Sequence, residues 1–231
     1  MDNGSASQVK NNYQVYATAD RHEMLSFVPK EARRILDVGC SIGNFGNLLK
    51  SERGAEVWGI ETDPEAAKIA ETVLDRVICG SFGSSADLPV GHFDCVVFND
   101  VLEHMIDPYS VLEYTKSILA PGGTIVASIP NVRYFPNIWI VLMHKNWEYT
   151  DAGILDRTHL RFFTEKSIIR LFEDRGLKIS RLEGINPLDI YDRYAIWKFR
   201  LLNAISFKAI SDMRWMQFAV VAKLDELEAS R

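Results

Sequence analysis

A carboxylate beside a glycine-rich turn is the first feature of this sequence that suggests chemistry. Residues 34–49 read RILDVGCSIGNFGNLL, an apolar run followed by a turn containing Gly39 and Gly43 and then by a helical pattern. Asp37 stands at the mouth of this turn. The free N–H groups at the start of a helix attract anions, so a carboxylate there competes with a phosphate group. The pattern therefore favours a ligand that carries positive charge.

An acidic residue at the end of the second apolar run points to the sugar of an adenosine. Glu61 lies 22 residues after Gly39, where an acidic side chain in a dinucleotide-binding fold accepts hydrogen bonds from the ribose hydroxyls. The stretch SIGNFG has the spacing GxGxxG, but Ser41 replaces the first glycine, which makes a weak match to a nicotinamide or flavin site. Because Asp37 attracts a sulfonium and an ammonium group, S-adenosyl-methionine is the favoured cofactor, and a nicotinamide oxidoreductase is the alternative.

Polar and aromatic residues also follow the third and fourth apolar runs. Ser81 and Phe82 come after RVICG, and Asn99 and Asp100 end the run FDCVVFND. Taken singly, each polar residue is as well explained by capping a neighbouring helix. Together, they predict the rim of a ligand pocket.

A second concentration of reactive side chains lies in DAGILDRTHLRFFT, residues 151–164. Methyl transfer from a sulfonium requires alignment and, for a hydroxyl acceptor, removal of a proton. Histidine is the usual general base near neutral pH, so His159 is the candidate base, with Glu103 and His104 as further catalytic candidates. The structural alternative is a polar network in which Arg157 pairs with an aspartate and His159 caps a helix.

The elements that position these residues alternate between strand and helix. Asp63 and Asp107 each precede a proline, which is the pattern of a helix N-cap, and Thr164 and Gly176 bound another helical segment. The sequence PGG at 121–123 predicts a turn. The predicted strands are 34–38, 56–60, 76–80, 93–98, 124–129, 177–185 and 217–224. This alternation predicts an α/β fold with a doubly wound, mostly parallel sheet.

Composition sets outer limits on function. The chain has 231 residues, 47% of them hydrophobic, and a net charge of −5, which disfavours a protein that grips nucleic acid through its backbone. Three cysteines without a CxxC spacing suggest a reducing compartment, and no signal peptide or membrane-spanning run is visible. We therefore expect a cytoplasmic protein of one domain over 1–231, with residues 1–12 disordered.

Three motifs together resemble the core of the class I S-adenosyl-methionine-dependent methyltransferases. They are ILDVGCSIGNFG, VWGIETDPEAAKIA and FDCVVFNDVLEHMIDP, and the resemblance covers about residues 34–130. It implies a Rossmann-like sheet of seven strands whose last strand is antiparallel. It also implies the cofactor contacts: Asp37, Gly39, Cys40 and Gly43 around the methionine part, Glu61 on the ribose, Ser81 and Phe82 beside adenine, and Asn99, Asp100 and Val101 on the other side.

Two narrower resemblances bear on the acceptor. The segment 151–164 after SIPN is similar to methyltransferases of bacterial surface-polysaccharide and O-antigen assembly, which implies a sugar or glycan hydroxyl. Asp100, Glu103, His104 and the distant His159 resemble the ExxEH…H set by which small-RNA 2′-O-methyltransferases and some quinone-pathway O-methyltransferases hold a divalent ion. The leading interpretation is a metal-free glycan O-methyltransferase, and the alternative is metal-assisted methylation of a quinone precursor or another vicinal diol.

Two aromatic-rich insertions, 131–163 and 186–215, interrupt the alternation and are predicted to form lids. Within 190–215, aromatic and aliphatic residues are interleaved with lysine and arginine. Packing on its own domain or on a second subunit of a homodimer is favoured over peripheral contact with a membrane. Trp139, Trp147 and Tyr149 either stack on a sugar or cover the site, and the sequence does not separate these two roles.

Overall fold

The structure is a computed structural model of the chain, and it describes residues 21–191 and 195–224. The disorder predicted for 1–12 lies outside the described residues. So does Tyr194, one of the aromatic residues in the second insertion.

Seven strands form the sheet predicted from the sequence. They are β1 (Arg34–Val38), β2 (Glu56–Glu61), β3 (Arg76–Cys79), β4 (Phe93–Asn99), β5 (Leu119–Pro130), β6 (Leu177–Pro187) and β7 (Trp215–Leu224). The strand order is β3-β2-β1-β4-β5-β7-β6. β1 is parallel to β2 and β4, and β2 is parallel to β3, whereas β6 and β7 are antiparallel. The doubly wound, mostly parallel α/β sheet and its antiparallel end are therefore confirmed.

The helices begin where the capping residues predict. They are α1 (Asn44–Arg53), α2 (Pro64–Ala70), α3 (Pro108–Ile118), α4 (Phe135–Trp139), α5 (Glu165–Glu173), α6 (Leu188–Tyr191) and α7 (Ala195–Ile205). The Asp63 carboxylate accepts the N–H groups of Glu65 and Ala66 at 2.9 Å, which satisfies two donors that a helix start otherwise leaves unpaired. Thr164 and Ser167 form a reciprocal capping box at α5.

One local prediction is wrong. The sequence PGG at 121–123 predicts a turn ahead of the fifth strand, but β5 begins at Leu119 and runs through it. Gly122 takes a φ of +77°, a backbone conformation that glycine adopts without steric cost. A side chain at Gly123 would come within 3.0 Å of the Ala120 and Phe93 carbonyl oxygens, so close packing within the strand explains the second glycine.

The chain divides into two compact units. The first comprises residues up to Asn99 together with Ser110–Val126, and the second comprises Asp100–Tyr109 and Ala127 onward. In the first unit, β1 and β4 are buried on both faces, with Ile35, Leu36, Val96 and Phe98 excluded from solvent. This burial explains why these strands are continuous apolar runs rather than alternating patterns.

The second unit has its own apolar cluster, built from both aromatic insertions. Tyr134 and Phe135 from the first insertion pack with Leu188, Phe199 and Met213 from the second. The Phe135 and Phe199 rings meet edge to face at 5.6 Å. The insertions therefore pack on each other, and their predicted role as lids stays a prediction. Within residues 21–191 and 195–224, the helices are too short or too polar to cross a lipid bilayer.

Candidate active site

The glycine turn of the first unit is tied to the end of β2. The N–H groups of Gly39 and Cys40 donate to the Ile60 carbonyl oxygen at 2.8 and 3.1 Å. The Ser41 N–H donates to the Glu61 carboxylate at 2.9 Å. The acidic residue predicted for the ribose thus lies directly at the turn.

Several residues of this turn adopt left-handed backbone conformations. Gly39 and Gly43 have φ values of +72° and +86°, which cost glycine nothing. Ser41 takes +49°, a conformation that strains a residue with a Cβ atom. A Cβ atom at Gly43 would also come within 2.8 Å of the Val73 side chain. Packing beneath the turn therefore requires a glycine at position 43, whether or not a ligand also approaches it.

Asp37 is almost completely buried, at 2% exposure. Burial, with a smaller contribution from the nearby Glu61 carboxylate, raises its pKa to about 7. Burial likewise raises the pKa of the Cys40 thiol, so this cysteine stays protonated and unreactive. A cation placed beside Asp37 and Glu61 would favour both carboxylates in their charged form.

The ends of β3 and β4 supply the remaining predicted residues of the first unit. Both amide atoms of the Asn99 side chain are buried, and neither has a hydrogen-bond partner among the residues that the structure describes. Such a group is costly unless a ligand satisfies it. Phe82 packs against Phe98 and Tyr114 with ring centroids 5.5 and 5.3 Å away, while Ser81 is exposed. The unpaired amide of Asn99 and the buried Asp37 fit a polar, cationic cofactor.

Asp100 opens the second unit in a strained conformation that several hydrogen bonds hold in place. Its φ is +54°. Its carboxylate accepts hydrogen bonds from the Ser128 hydroxyl at 3.0 Å and the Gln217 amide at 2.7 Å, and its N–H donates to Ser128. Val101, next in the chain, is buried. Sequence reasoning missed Ser128 and Gln217, although a polar residue within an apolar strand run is a signal that such a residue has a specific partner.

Glu103, His104 and His159 converge in the second unit. One potential ligand atom from each lies within 4.8 Å of the others. The two imidazole rings meet edge to face at 4.7 Å, and His159 Nε2 lies 3.9 Å from the Glu103 carboxylate. Glu103 and His159 are only 1% and 9% exposed. Of the four residues in the metal-binding alternative, three come together, and Asp100 is not part of this group.

Hydrogen bonds at the outer ring nitrogens orient both histidines. His159 Nδ1 lies 3.0 Å from the Ile154 carbonyl oxygen, and His104 Nδ1 lies 3.2 Å from the carbonyl and hydroxyl oxygens of Thr158. The Thr158 hydroxyl donates to the Asp156 carboxylate at 2.7 Å, so it accepts from His104. With Nδ1 as the donor, the neutral form of each ring has its lone pair on Nε2. Burial and the neighbouring His159 lower the pKa of His104.

Part of the predicted polar network around His159 is present, but the prediction that His159 caps a helix is wrong. Its ring lies 3.0 Å from the carbonyl oxygen of Ile154, which is in a turn, and Thr164 caps the helix that follows. Arg157 pairs with Asp151 at 2.6 Å, and the His159 N–H donates to the Asp156 carbonyl oxygen at 3.0 Å. The Arg161 N–H donates to the Glu103 carbonyl oxygen. The network and the histidine cluster are therefore compatible, because the network fixes the segment that carries the His159 ring.

A chain of aromatic rings extends from the histidines. Phe162 lies 6.4 Å from His159, and Trp147 and Tyr149 lie 5.4 and 6.5 Å from Phe162. Trp147 and Tyr149 are exposed. Trp139 instead stands against Phe135 at 5.7 Å, in the apolar cluster. Of the three aromatic residues left open by the sequence, Trp147 and Tyr149 are therefore connected to His159 through Phe162.

The donor set of this cluster fits a divalent metal ion. A carboxylate and two neutral imidazoles suit Zn²⁺, Mn²⁺ or a similar ion. Each imidazole already has the outer hydrogen bond that metal-bound histidines make.

Comparisons with known proteins identify the family of this chain. Residues 10–182 match the family model described as a methyltransferase domain. A ubiquinone biosynthesis O-methyltransferase from Psychrobacter arcticus is 27% identical over 190 residues, covering 78% of this chain and 72% of the relative. The protein of the same description from Methylococcus capsulatus is 31% identical over 168 residues, covering 68% of each chain.

Solved structures share the fold. A methyltransferase from Archaeoglobus fulgidus, described as dependent on S-adenosyl-methionine, aligns with a TM-score of 0.62 at 21% identity, covering 92% of this chain and 94% of that one. A putative methyltransferase of the same kind from Listeria monocytogenes aligns with a TM-score of 0.60 at 16% identity, covering 91% and 100%.

Proposed function

This chain belongs to the family of S-adenosyl-methionine-dependent methyltransferases, and from that premise we propose that it methylates a hydroxyl group of an aromatic vicinal diol with the help of a divalent ion. The observation that carries the proposal is the convergence of Glu103, His104 and His159 within 4.8 Å. Two neutral imidazoles and a carboxylate are a recognisable set of metal ligands.

The cofactor is assigned to the residues that end the strands. In the first unit these are Asp37, Gly39, Cys40, Gly43, Glu61, Ser81, Phe82 and Asn99, followed in the chain by Asp100 and Val101. Asp37 and Glu61 supply negative charge for the sulfonium and the ammonium group. Asn99 supplies a buried donor and acceptor that lack partners among the described residues.

The acceptor hydroxyl is assigned to the second unit. Glu103, His104 and His159 would hold the ion through one carboxylate oxygen and two Nε2 atoms. A divalent ion, when bound, lowers the pKa of a hydroxyl that it contacts. Because the leaving group of the methyl donor is already activated, alignment of the acceptor is the main further requirement. Ile154 and Thr158 hold the two rings in orientation.

An aromatic acceptor is favoured by the rings beside the cluster. Phe162, Trp147 and Tyr149 offer faces and edges against which a planar ring packs. Relatives described as ubiquinone biosynthesis O-methyltransferases support the same acceptor class. The identity of these relatives is 27–31%, so the acceptor is proposed as a class only.

A sugar or glycan hydroxyl is the second candidate. Trp147 and Tyr149 are exposed enough to stack on the face of a sugar ring, and the segment 151–164 resembles the polysaccharide enzymes. In this version His159 acts as a base through its unprotonated Nε2 atom, and no ion is required.

A labelled-cofactor assay separates the candidates. Protein treated with EDTA and then dialysed is incubated with methyl-labelled S-adenosyl-methionine and, separately, with an aromatic vicinal diol, its single-hydroxyl analogue and a nucleotide sugar. We expect label on the diol only, and only after Mg²⁺, Mn²⁺ or Zn²⁺ is added back. Calorimetric titration of the same ions into the protein gives a readout that does not depend on turnover, and Glu103→Gln should weaken that binding at least tenfold.

Full activity in EDTA would remove the ion from the proposal. Label on the nucleotide sugar alone would replace the aromatic acceptor by the second candidate. Oxidation of NADH without methyl transfer would contradict both.

A further inference from the structure

Helix α7 presents two apolar faces, and the residues that the structure describes cover one of them. Phe199 is buried in the cluster with Tyr134, Phe135, Leu188 and Met213. Trp197, Leu201 and Ile205 follow one another at intervals of four residues, so they line one side of the helix. Their exposures are 58%, 54% and 64%.

Further exposed apolar side chains lie in segments next to α7 and α4 in the chain. Phe207, just after the helix, is 94% exposed. Leu142 and Met143 are exposed in the π-helical segment Ile140–His144, which directly follows α4. α4 and α7 pack together, with Lys198 Nζ 4.9 Å from the Trp139 ring. Large apolar side chains gathered in this way mark an interaction surface rather than the scattered exposure of ordinary proteins.

The charges of this region are basic, in contrast to the rest of the chain. Residues 195–210 contain Lys198, Arg200 and Lys208 and no acidic residue, while the whole chain carries a net charge of −5. Arg200 contacts Asp189 only at 3.5 Å and its side chain is 70% exposed. The combination of a tryptophan, aliphatic residues and flanking cations is typical of helices that lie in the interface of a lipid bilayer.

We propose that the stripe formed by Trp197, Leu201 and Ile205, together with Phe207, docks the protein on the surface of an anionic membrane. Lys198, Arg200 and Lys208 would face the lipid phosphates while the apolar side chains enter the boundary of the acyl chains. Within the described residues the helices do not span a bilayer, so the attachment is peripheral.

Charge decides between a membrane and a second copy of the chain. A twofold dimer brings the same patch of each subunit together. Lys198, Arg200 and Lys208 of one copy would then lie close to the same cations of the other, and residues 195–210 offer no acidic side chain to compensate. An anionic bilayer supplies the opposite charge across the whole patch.

Sedimentation with vesicles tests the proposal on the full-length protein. We expect binding to vesicles of equal parts phosphatidylglycerol and phosphatidylcholine, and at least tenfold weaker binding to phosphatidylcholine alone. The double variant Trp197→Gln and Leu201→Gln should bind the mixed vesicles at least tenfold more weakly. Lys198→Gln with Lys208→Gln should weaken binding to the mixed vesicles and leave binding to phosphatidylcholine unchanged.

Val90→Gln is the matched control, because Val90 is an exposed apolar residue of the first unit, at 81% exposure. It should bind vesicles like the parent protein. Circular dichroism confirms that each variant is folded. Equal sedimentation of all variants would overturn the proposal. So would a concentration-dependent dimer, seen by analytical ultracentrifugation, that Trp197→Gln abolishes.

Discussion

At the scale of single residues, His159 and Asp37 show how surroundings set the chemistry of a side chain. The Ile154 carbonyl oxygen lies 3.0 Å from His159 Nδ1 and orients the ring so that Nε2 faces the Glu103 carboxylate at 3.9 Å. At Asp37, burial raises the pKa of the carboxyl group to about 7. The first effect comes from a carbonyl group five residues away, and the second comes mainly from exclusion of water.

Replacing His159 tests its role directly. We expect His159→Ala to slow methyl transfer by ~10²-fold or more, the usual contribution of a positioned base or ligand, and to leave cofactor affinity nearly unchanged. Single-turnover rates and calorimetry of cofactor binding measure the two quantities. His144→Ala, which changes an exposed histidine, should leave both the transfer rate and the cofactor affinity unchanged. Unchanged turnover of His159→Ala would remove His159 from the site.

The pKa of Asp37 predicts how cofactor binding and stability depend on pH. An ionised Asp37 attracts the sulfonium, and its ionised fraction rises from about one tenth at pH 6 to about nine tenths at pH 8, since its pKa is about 7. Affinity for S-adenosyl-methionine should therefore rise about tenfold over this range. Affinity for the demethylated product, which keeps the ammonium group but lacks the sulfonium, should rise less. Calorimetry at both pH values measures this difference.

The free energy of unfolding should change in the opposite direction. The folded state holds a proton on Asp37 between pH 4 and pH 7 that the unfolded state releases, so stability falls as the pH rises through this window. Urea unfolding of Asp37→Asn should lack this part of the fall. A variant whose stability and cofactor affinity follow pH as in the parent protein would contradict the assignment.

At the scale of elements, the second unit depends on a close approach between β6 and β7. A Cβ atom at Gly184 would lie 2.0 Å from the indole ring of Trp215, so no side chain fits there without displacing the ring. The glycine in LKISRLEGI is thus explained by its neighbour in β7 rather than by a turn.

Gly184→Ala tests this packing. We expect it to lower the free energy of unfolding by about 1–3 kcal/mol, the usual cost of overpacking, as measured by urea denaturation. Adding Trp215→Leu should recover part of the loss by making room for the methyl group. If Gly184→Ala were as stable as the parent protein, the contact between Gly184 and Trp215 would not constrain the sheet.

At the scale of the whole molecule, the cofactor should stabilise the fold. A ligand that binds only the folded state at about 100 times its dissociation constant adds about 2.7 kcal/mol to the free energy of unfolding. We expect S-adenosyl-methionine to raise the thermal midpoint in a single cooperative transition, as a one-domain chain requires, and NAD to leave it unchanged. Two separate transitions would contradict the one-domain prediction, and stabilisation by NAD alone would contradict the cofactor.

The seven strands, their mostly parallel sheet, the capped helices and the glycine turn with Glu61 could all be predicted from the sequence. These features are local, because strand burial is written in continuous apolar runs and helix starts in residues such as Asp63 and Thr164. Among these elements only the turn predicted at 121–123 is wrong. These residues belong to β5, in which Gly123 is closely packed.

Which polar residues contact one another is seen only in the folded chain. Gln217 holds Asp100 across 117 positions, and Glu103 reaches His159 across 56, contacts that no local pattern encodes. The sequence of α7 likewise does not show which side of the helix is covered, because apolar residues lie on most of its sides. Packing of Phe199 on the second unit settled which side is covered and left Trp197, Leu201 and Ile205 facing outward. Contacts between distant segments depend on how the whole chain folds, and short-range spacing carries no record of them.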